Sequence, residues 1–405
     1  MTLSRRQVVG GAIGGASLLG RRVRAEQKII RIGVMNDQSG PFRDLAGTTS
    51  AVCARQAARE FGQGSFAIDV VYGDHQNKPD VGAALARRWF DQDGVDVIID
   101  IPTSSVAFAV STLAREKNKI FIASGAASPD LTGSKCSPNT LQWTLDAYML
   151  AKTVGGAIAR RAPTKWYFIT VDYVFGHQLE KDTTRFVTEA GGEVLGASRY
   201  PLASTDFSSY LLKAQASGAN VLGLALSGQD MINCVKQAHE FGLNKTMQMA
   251  ALSVFTTDIH SLGLETAQDL LLTETFYWDL NDRTRAFTER VRPETPNNLP
   301  NMIHAGCYSS TLHLLKAIAS IDFATAKGSG RAVVERMKAM PIDDDAFGRG
   351  SIRVDGRTLF PAYLFQVKKP SESTNPWDLY KLVSTVPPEQ AWRPLSEGGC
   401  DMVKS

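Results

Sequence analysis

The chain has 405 residues and a mass of 44.0 kDa, with 43% hydrophobic and 21% charged residues. That length suits two or three domains, the ordinary composition excludes disordered, collagen-like and coiled-coil chains, and five cysteines exclude a small disulfide-dense scaffold. The net charge of +3 comes from the first 25 residues, which hold Arg5, Arg6, Arg21, Arg22 and Arg24 and no acid; the remainder carries 39 basic against 41 acidic residues and shows no basic stripe for nucleic acid.

In chain order, Arg5-Arg6 precedes an apolar, glycine-rich run from Val8 to Gly20, 13 residues long and too short to span a bilayer. Val23-Arg24-Ala25 fits the small-x-small pattern of a signal-peptidase site. Residues 1–25 therefore read as an export signal. Ser4-Arg5-Arg6-Gln7-Val8 is similar to a twin-arginine signal, although Val-Val-Gly follows where Phe-Leu-Lys is usual. The mature chain is expected to start near Glu26, in an oxidising periplasm.

Strand-like runs then alternate with helical ones. IIRIGVM (29–35), AIDVVY (67–72), VDVIID (95–100) and KIFIAS (119–124) form a first series; KWYFITV (165–171), GEVLGASRY (192–200) and NVLGLAL (220–226) form a second. Between them lie stretches with apolar residues at helical spacing, such as 46–61, 81–92, 106–117, 177–190 and 230–241. Continuous apolar strands separated by helices mean βαβ units with strands buried on both faces. Beyond residue 280, helices are expected at 283–292, 302–321 and 331–339, then a hairpin over 350–367 turning at Asp355-Gly356, then a mostly irregular tail. The predicted fold class is α/β: two three-layer lobes with parallel sheets. Such sheets bind ligands beyond the carboxyl ends of their strands, and two lobes offer a cleft.

The strand ends carry small polar and aromatic residues. The first lobe offers Asn36-Asp37, Thr103-Ser104-Ser105 and Gly125-Ala126-Ala127-Ser128; the second offers Tyr173, Phe175, Ser227-Gly228, Leu252–Phe255 and Phe276. Thr103, Ser104 and Ser128 suit plain helix caps, and equally suit an anion site, because helix N-termini present unpaired N–H groups. The aromatics suit either plain core or the wall of an apolar pocket.

The strings IRIGVMNDQSGPFRDLAG, DQDGVDVIIDIPTSSVA, IASGAASPDLTG, DYVFGHQLEKD and SSYLLKAQASGANVLGLA resemble the extracellular solute-binding proteins of the branched-chain-amino-acid ABC-transporter type, whose fold is the type I periplasmic-binding fold. The likeness runs in order over about residues 28–370. It implies a non-enzymatic receptor without cofactor or metal. It implies a hinge of three crossings, lobe 1 from 26–145 plus 279–345, lobe 2 from 146–278 plus 346–385, and a tail from 386. It also implies a small-molecule ligand and a membrane permease pair as partners, with no nucleic acid, and the chain is read as a monomer. Ligand contacts are implied at Thr103, Ser104, Gly125, Ala126 and Ala127, and on the second lobe at Tyr173, Phe175, Ser227, Gly228, Leu252 and Phe255. Asp37, Tyr148 and Phe276 complete the candidate set.

Two departures bear on the ligand. Amino-acid binders of this type tend to carry Thr where Ala127 stands, and an acid near Leu252–Phe255 for the ligand ammonium. This chain reads AALSVFT there, with no acid before Asp258. A buried ammonium without an acceptor is costly. The expected ligand is therefore a carboxylate lacking an α-amino group: an aromatic, 2-oxo or 2-hydroxy acid. Asp37 is the competing consideration, since it stands where it would supply the missing charge. A hydrophobic-amino-acid receptor and a periplasmic ligand sensor are the alternatives.

Cys53, Cys234 and Cys307 fall in helical patterns and read as buried thiols; Cys136 and Cys400, in loop contexts, are expected to pair. The six histidines have no metal-ligand spacing, and the chain lacks HExxH, CxxC, GxSxG and GxxxxGK[ST].

Overall fold

The structure, a computed structural model, describes residues 28–62, 64–160, 164–295 and 297–403. The export signal expected over residues 1–25 lies outside them. Five strands form a first parallel sheet: β1 (Ile29–Asn36), β2 (Ala67–Asp74), β3 (Val97–Asp100), β4 (Ile120–Ala123) and β5 (Thr140–Gln142), in the order β2-β1-β3-β4-β5. Four more form a second: β6 (Lys165–Val171), β7 (Glu193–Tyr200), β8 (Val221–Ala225) and β9 (Gln248–Ala251), in the order β7-β6-β8-β9, again parallel. Strands β3, β4 and β8 are buried along their whole length, which is why they read as unbroken apolar runs.

Helices α1 (Gly47–Phe61), α2 (Pro79–Asp91) and α3 (Ser104–Glu116) follow β1, β2 and β3; α4 (Val174–Glu189), α5 (Ser208–Ala216), α6 (Gln229–Glu240) and α7 (Thr256–Leu262) follow β6 to β9. Each turns an apolar stripe to its sheet, with Trp89 and Phe90 of α2 and Phe186 and Val187 of α4 buried. Full burial of side chains this size contributes about 1.5–3 kcal/mol each. After β10 (Leu271–Glu274) come α8 (Asp282–Val291), α9 (Met302–Ala319) and α10 (Gly330–Lys338), and α9 packs along α1 on the first lobe.

The C-terminal part departs from the sequence expectation in two places. Strands β11 (Ile342–Asp344), β12 (Gly348–Ile352) and β13 (Thr358–Leu359) form a small antiparallel sheet that turns at Asp355-Gly356. The hairpin ends there: β14 (Ala362–Val367) pairs instead with β10 and with β15 (Tyr380–Val386). Pro361, which has no N–H to continue a ladder, separates the two strands. The tail is not mostly irregular either, because β15 is a seven-residue edge strand. Its outward residues Leu382 and Val383 are exposed, so no alternation marks it in the sequence.

Cys136 and Cys400 form a disulfide that closes the tail onto the first lobe, and Cys53, Cys234 and Cys307 are buried free thiols. Trp392 Nε1 donates to Phe360 O (2.9 Å) and Arg393 Nη2 to Pro129 O (2.7 Å), which seats the tail beside the crossing segments. Among the described residues no helix is long and apolar enough to cross a membrane.

Candidate functional site

A small cavity of about 20 Å³ lies where the carboxyl ends of the two sheets face each other. That is room for about one water, far below the roughly 300–1,000 Å³ of drug-sized ligand sites, so a solute enters only when the lobes part or the lining side chains move. The first lobe and its crossing segment contribute Phe42, Leu45, Pro102, Gly125, Ala127, Leu145 and Ile303. The second contributes Tyr173, Phe175, Ser227, Ser253 and Phe255.

Local chemistry fixes these walls. On the first lobe, the Asp37 carboxylate accepts from Gly40 N (2.7 Å), Phe42 N (2.8 Å) and Asn77 Nδ2 (2.5 Å), folding the 37–42 loop so that Phe42 reaches the cavity. Asn77 Oδ1 in turn accepts from the Thr103 hydroxyl. Gly125 allows close approach: a Cβ there would lie 2.8 Å from Pro102 Cα. On the second lobe, Tyr173 and Phe175 open α4 with ring centroids 5.9 Å apart. Phe255 N donates to Asp258 Oδ2 (3.0 Å) at the start of α7, and Ser253 Oγ lies 3.4 Å from Ser227 Oγ.

The lobes are closed on each other. Gln229 N, at the start of α6, donates across the cleft to Pro41 O (3.0 Å), and Gln178 Nε2 of α4 donates to Asp130 Oδ2 (2.7 Å). Behind the cavity the Glu274 carboxylate joins both halves, accepting from Thr256 N (2.8 Å) and from Met302 N (3.3 Å) at the first residues of α7 and α9. Helix N-termini favour a carboxylate there.

No aspartate, glutamate, lysine, arginine or histidine is among the cavity's lining residues. The nearby acids belong to the scaffold. Burial pushes Asp258 up to about 8 and Glu274 up to about 7, each pulled partly back by backbone or hydroxyl donors. Burial likewise raises Asp230 to about 6, while its Oδ2 accepts from Ala203 N (3.0 Å). The Tyr173 phenol, the lining's single titratable group, is raised by burial and then by the Asp230 charge.

Of the residues singled out in the sequence, Gly125, Ala127, Tyr173, Phe175, Ser227 and Phe255 come together on the cavity. Several others border it with their polar groups already engaged. Thr103 donates to Asn77, Ser104 Oγ accepts from Ser128 N (3.2 Å), and Ala126 O accepts from Gln142 Nε2 (2.8 Å). Leu252 N donates to Leu224 O (3.3 Å), and Gly228 abuts Pro41 and Phe42. Three stand apart. Asp37 is held by its own loop rather than turned to a ligand. Tyr148 stacks edge-on against Phe186 (5.4 Å) and accepts from Arg185 Nη2 (3.3 Å). Phe276 packs on Phe287 (5.8 Å) and Phe347 (6.1 Å). Ser253 lies within the candidate segment Leu252–Phe255, while Phe42, Leu45, Pro102, Leu145 and Ile303 were not singled out. Phe42 follows Gly40-Pro41 in a turn signal, whereas Ile303 arrives from a helix far along the chain from the start of either strand set and carries no local mark.

Residues 29–373 match the model of the family described as periplasmic binding protein. The chain belongs to the periplasmic binding protein family. Its members are solute-binding proteins of ABC transporters, which work with a membrane permease and are not an enzyme class. A periplasmic binding protein from Burkholderia mallei is 40% identical, covering 93% of this chain and 100% of its own, with a TM-score of 0.89. A branched chain amino acid ABC transporter periplasmic ligand-binding protein from Burkholderia xenovorans is 34% identical, covering 92% and 99%, with a TM-score of 0.78. At 22% identity, a solute-binding protein of R. palustris in complex with 4-hydroxybenzoate shares the fold, covering 90% and 99%, with a TM-score of 0.78.

Proposed function

We propose that this binding protein captures a small carboxylate without an α-ammonium group, an aromatic, 2-oxo or 2-hydroxy acid, between its lobes, and that closure presents both lobes to a permease pair in the inner membrane. The observation that carries this reading is the composition of the cavity. Its walls hold Phe42, Tyr173, Phe175 and Phe255, two serine hydroxyls, and no acidic side chain to receive an ammonium. A ring suits the aromatic walls, and Ser227 and Ser253 offer donors to a carboxylate. Micromolar affinity requires about −8 kcal/mol, within reach of one buried ring and a hydrogen-bonded carboxylate. Closed states gain only from contacts a ligand makes to both lobes at once, and this cavity draws its lining from both. The R. palustris complex with 4-hydroxybenzoate is compatible with this reading at the level of the fold.

In the same reading, residues 1–25 are a cleaved export signal, lobe 1 takes 26–145 plus 279–345, and lobe 2 takes 146–278 plus 346–385. The second reading, a hydrophobic amino acid receptor, is favoured by the name of the 34% identical Burkholderia xenovorans relative. Calorimetric titration with 4-hydroxybenzoate, phenylpyruvate and leucine separates the two. The carboxylate reading expects an acid to bind and leucine to leave no heat; tight leucine binding alone overturns it.

A further inference from the structure

Asp100 and Ile101 are consecutive non-glycine residues with positive φ, +85° and +56°. Side chains are disfavoured there, a β-branched one most of all. The pair sits where β3 ends and the chain turns into Pro102, a wall of the cavity. The turn is tied on both sides. Asp100 O accepts from Ser124 N (3.1 Å) and Gly125 N (3.4 Å), and Ile101 N donates to Met35 O (2.9 Å). Glycine at position 100 would remove the backbone strain and a buried carboxyl together.

That side chain is fully buried and accepts from Asn36 Nδ2 (2.9 Å) through Oδ2. Asp100 Oδ1 has no partner among the described residues, and neither do the neighbouring Ser50 Oγ and Ser124 Oγ. The groups around it are Asn36 from β1, Ser50 and Cys53 from α1, Ser124 from the end of β4, and Cys307 from α9. Burial raises both thiols, so they are neutral. His304, one turn before Cys307, is held down to about 3 by burial and faces Ala46 O (2.9 Å), so it too is uncharged. Asp37, next to Asn36, is turned into its own loop. No cation pairs with Asp100 among the described residues. Burial pushes its carboxyl up to about 6, with the Asn36 amide pulling it partly back.

An ionised Asp100 is therefore an uncompensated negative charge beneath the floor made by Pro102 and Gly125. A second negative charge on that floor disfavours the ionised form, because like charges repel strongly where water is excluded. We propose that Asp100 is a proton-linked positioning residue: its neutral carboxyl holds the strained turn under the cleft, and capture of an anionic solute transfers a proton from solvent to the Asp100 carboxylate. This rests on the anionic-solute reading above.

The test is calorimetric titration of the full mature chain with 4-hydroxybenzoate or phenylpyruvate, whichever binds. It is run in two buffers of different ionisation enthalpy, from about pH 6 to about pH 8, where the solute carboxyl is already ionised. The expected result is a buffer-dependent heat that reports proton uptake, and affinity at least about fivefold weaker at the upper pH. Asp100→Asn tolerates the left-handed backbone and cannot titrate; Asp100→Gly accommodates the turn with no side chain. Both are expected to bind without proton uptake and without the pH slope. Wild-type binding without proton uptake overturns the inference while leaving the solute reading intact, as does uptake that persists in both variants. Binding of leucine and of neither acid removes both.

Discussion

Gly228 offers a direct test of lobe closure. Its backbone, φ +62° and ψ −140°, lies in a region closed to side chains, and a Cβ there would sit 2.6 Å from Pro41 O and 2.9 Å from Phe42 Cδ1. Gly228→Ala thus carries two separable costs. Backbone strain, about 1–3 kcal/mol, is present whether the lobes are open or closed and lowers stability. The steric overlap exists only in the closed form, because Pro41 and Phe42 belong to the opposite lobe and Pro41 O must still accept from Gln229 N. Overpacking of this kind costs about 1–3 kcal/mol, or roughly 5- to 150-fold in solute affinity. Gly218→Ala is the control: φ is +75° and no atom lies within 4 Å of the added Cβ. Denaturant unfolding of both variants, paired with calorimetric titration of the bound acid, separates the costs. Both are expected to lose stability, and Gly228→Ala alone to lose affinity. If Gly228→Ala binds as tightly as wild type, Gly228 against Pro41 is not a contact of the closed, solute-bound state.

Ser227→Ala removes one hydroxyl donor facing the cavity and is expected to weaken carboxylate binding about tenfold, the effect of losing one hydrogen bond to a charged group, while Tyr148→Phe, outside the cavity, leaves the titration unchanged. Glu274 and Asp258 have native values raised above their unfolded ones, so their contribution to stability is complete below about pH 4 and declines as pH rises through about 7 and about 8. Urea unfolding at pH values across that range is expected to show the decline, and Glu274→Gln with Asp258→Asn to flatten it. Thiol titration of the unreduced, denatured chain should count three reactive cysteines, and Cys136→Ser with Cys400→Ser should lower the unfolding free energy by up to about 5 kcal/mol, the chain-entropy bound for so long a loop. Five reactive thiols would exclude the bridge.

The two parallel sheets were legible because their strands are buried on both faces, so burial writes itself into the chain as runs such as VDVIID and NVLGLAL. The small polar residues after β3, β4 and β8 were legible for a related reason, since the carboxyl ends of such strands are where backbone turns outward. Strand β15 was not legible: it lies at an edge with Leu382 and Val383 exposed, and it owes its existence to the ladder with β14.

Among the candidate site residues, local sequence specified which loops approach the cleft and nothing finer. Tyr148, Phe175 and Phe276 are equally plausible as cavity aromatics when read along the chain. Their separation came from packing: Phe186 and Arg185 turn Tyr148 away, and Phe287 and Phe347 enclose Phe276. Asp37 reads as a charge for a ligand until its loop is folded, at which point Gly40 N, Phe42 N and Asn77 Nδ2 take both its oxygens. The sequence determined the sheets, the order of the lobes and the kinds of residue at the strand ends, because each follows from short-range periodicity and burial. The direction of each side chain, the recruitment of Ile303 from α9, and the cavity's freedom from charge were decided only when remote segments packed, because hydrogen-bond partners and steric neighbours are properties of the folded arrangement and not of the chain.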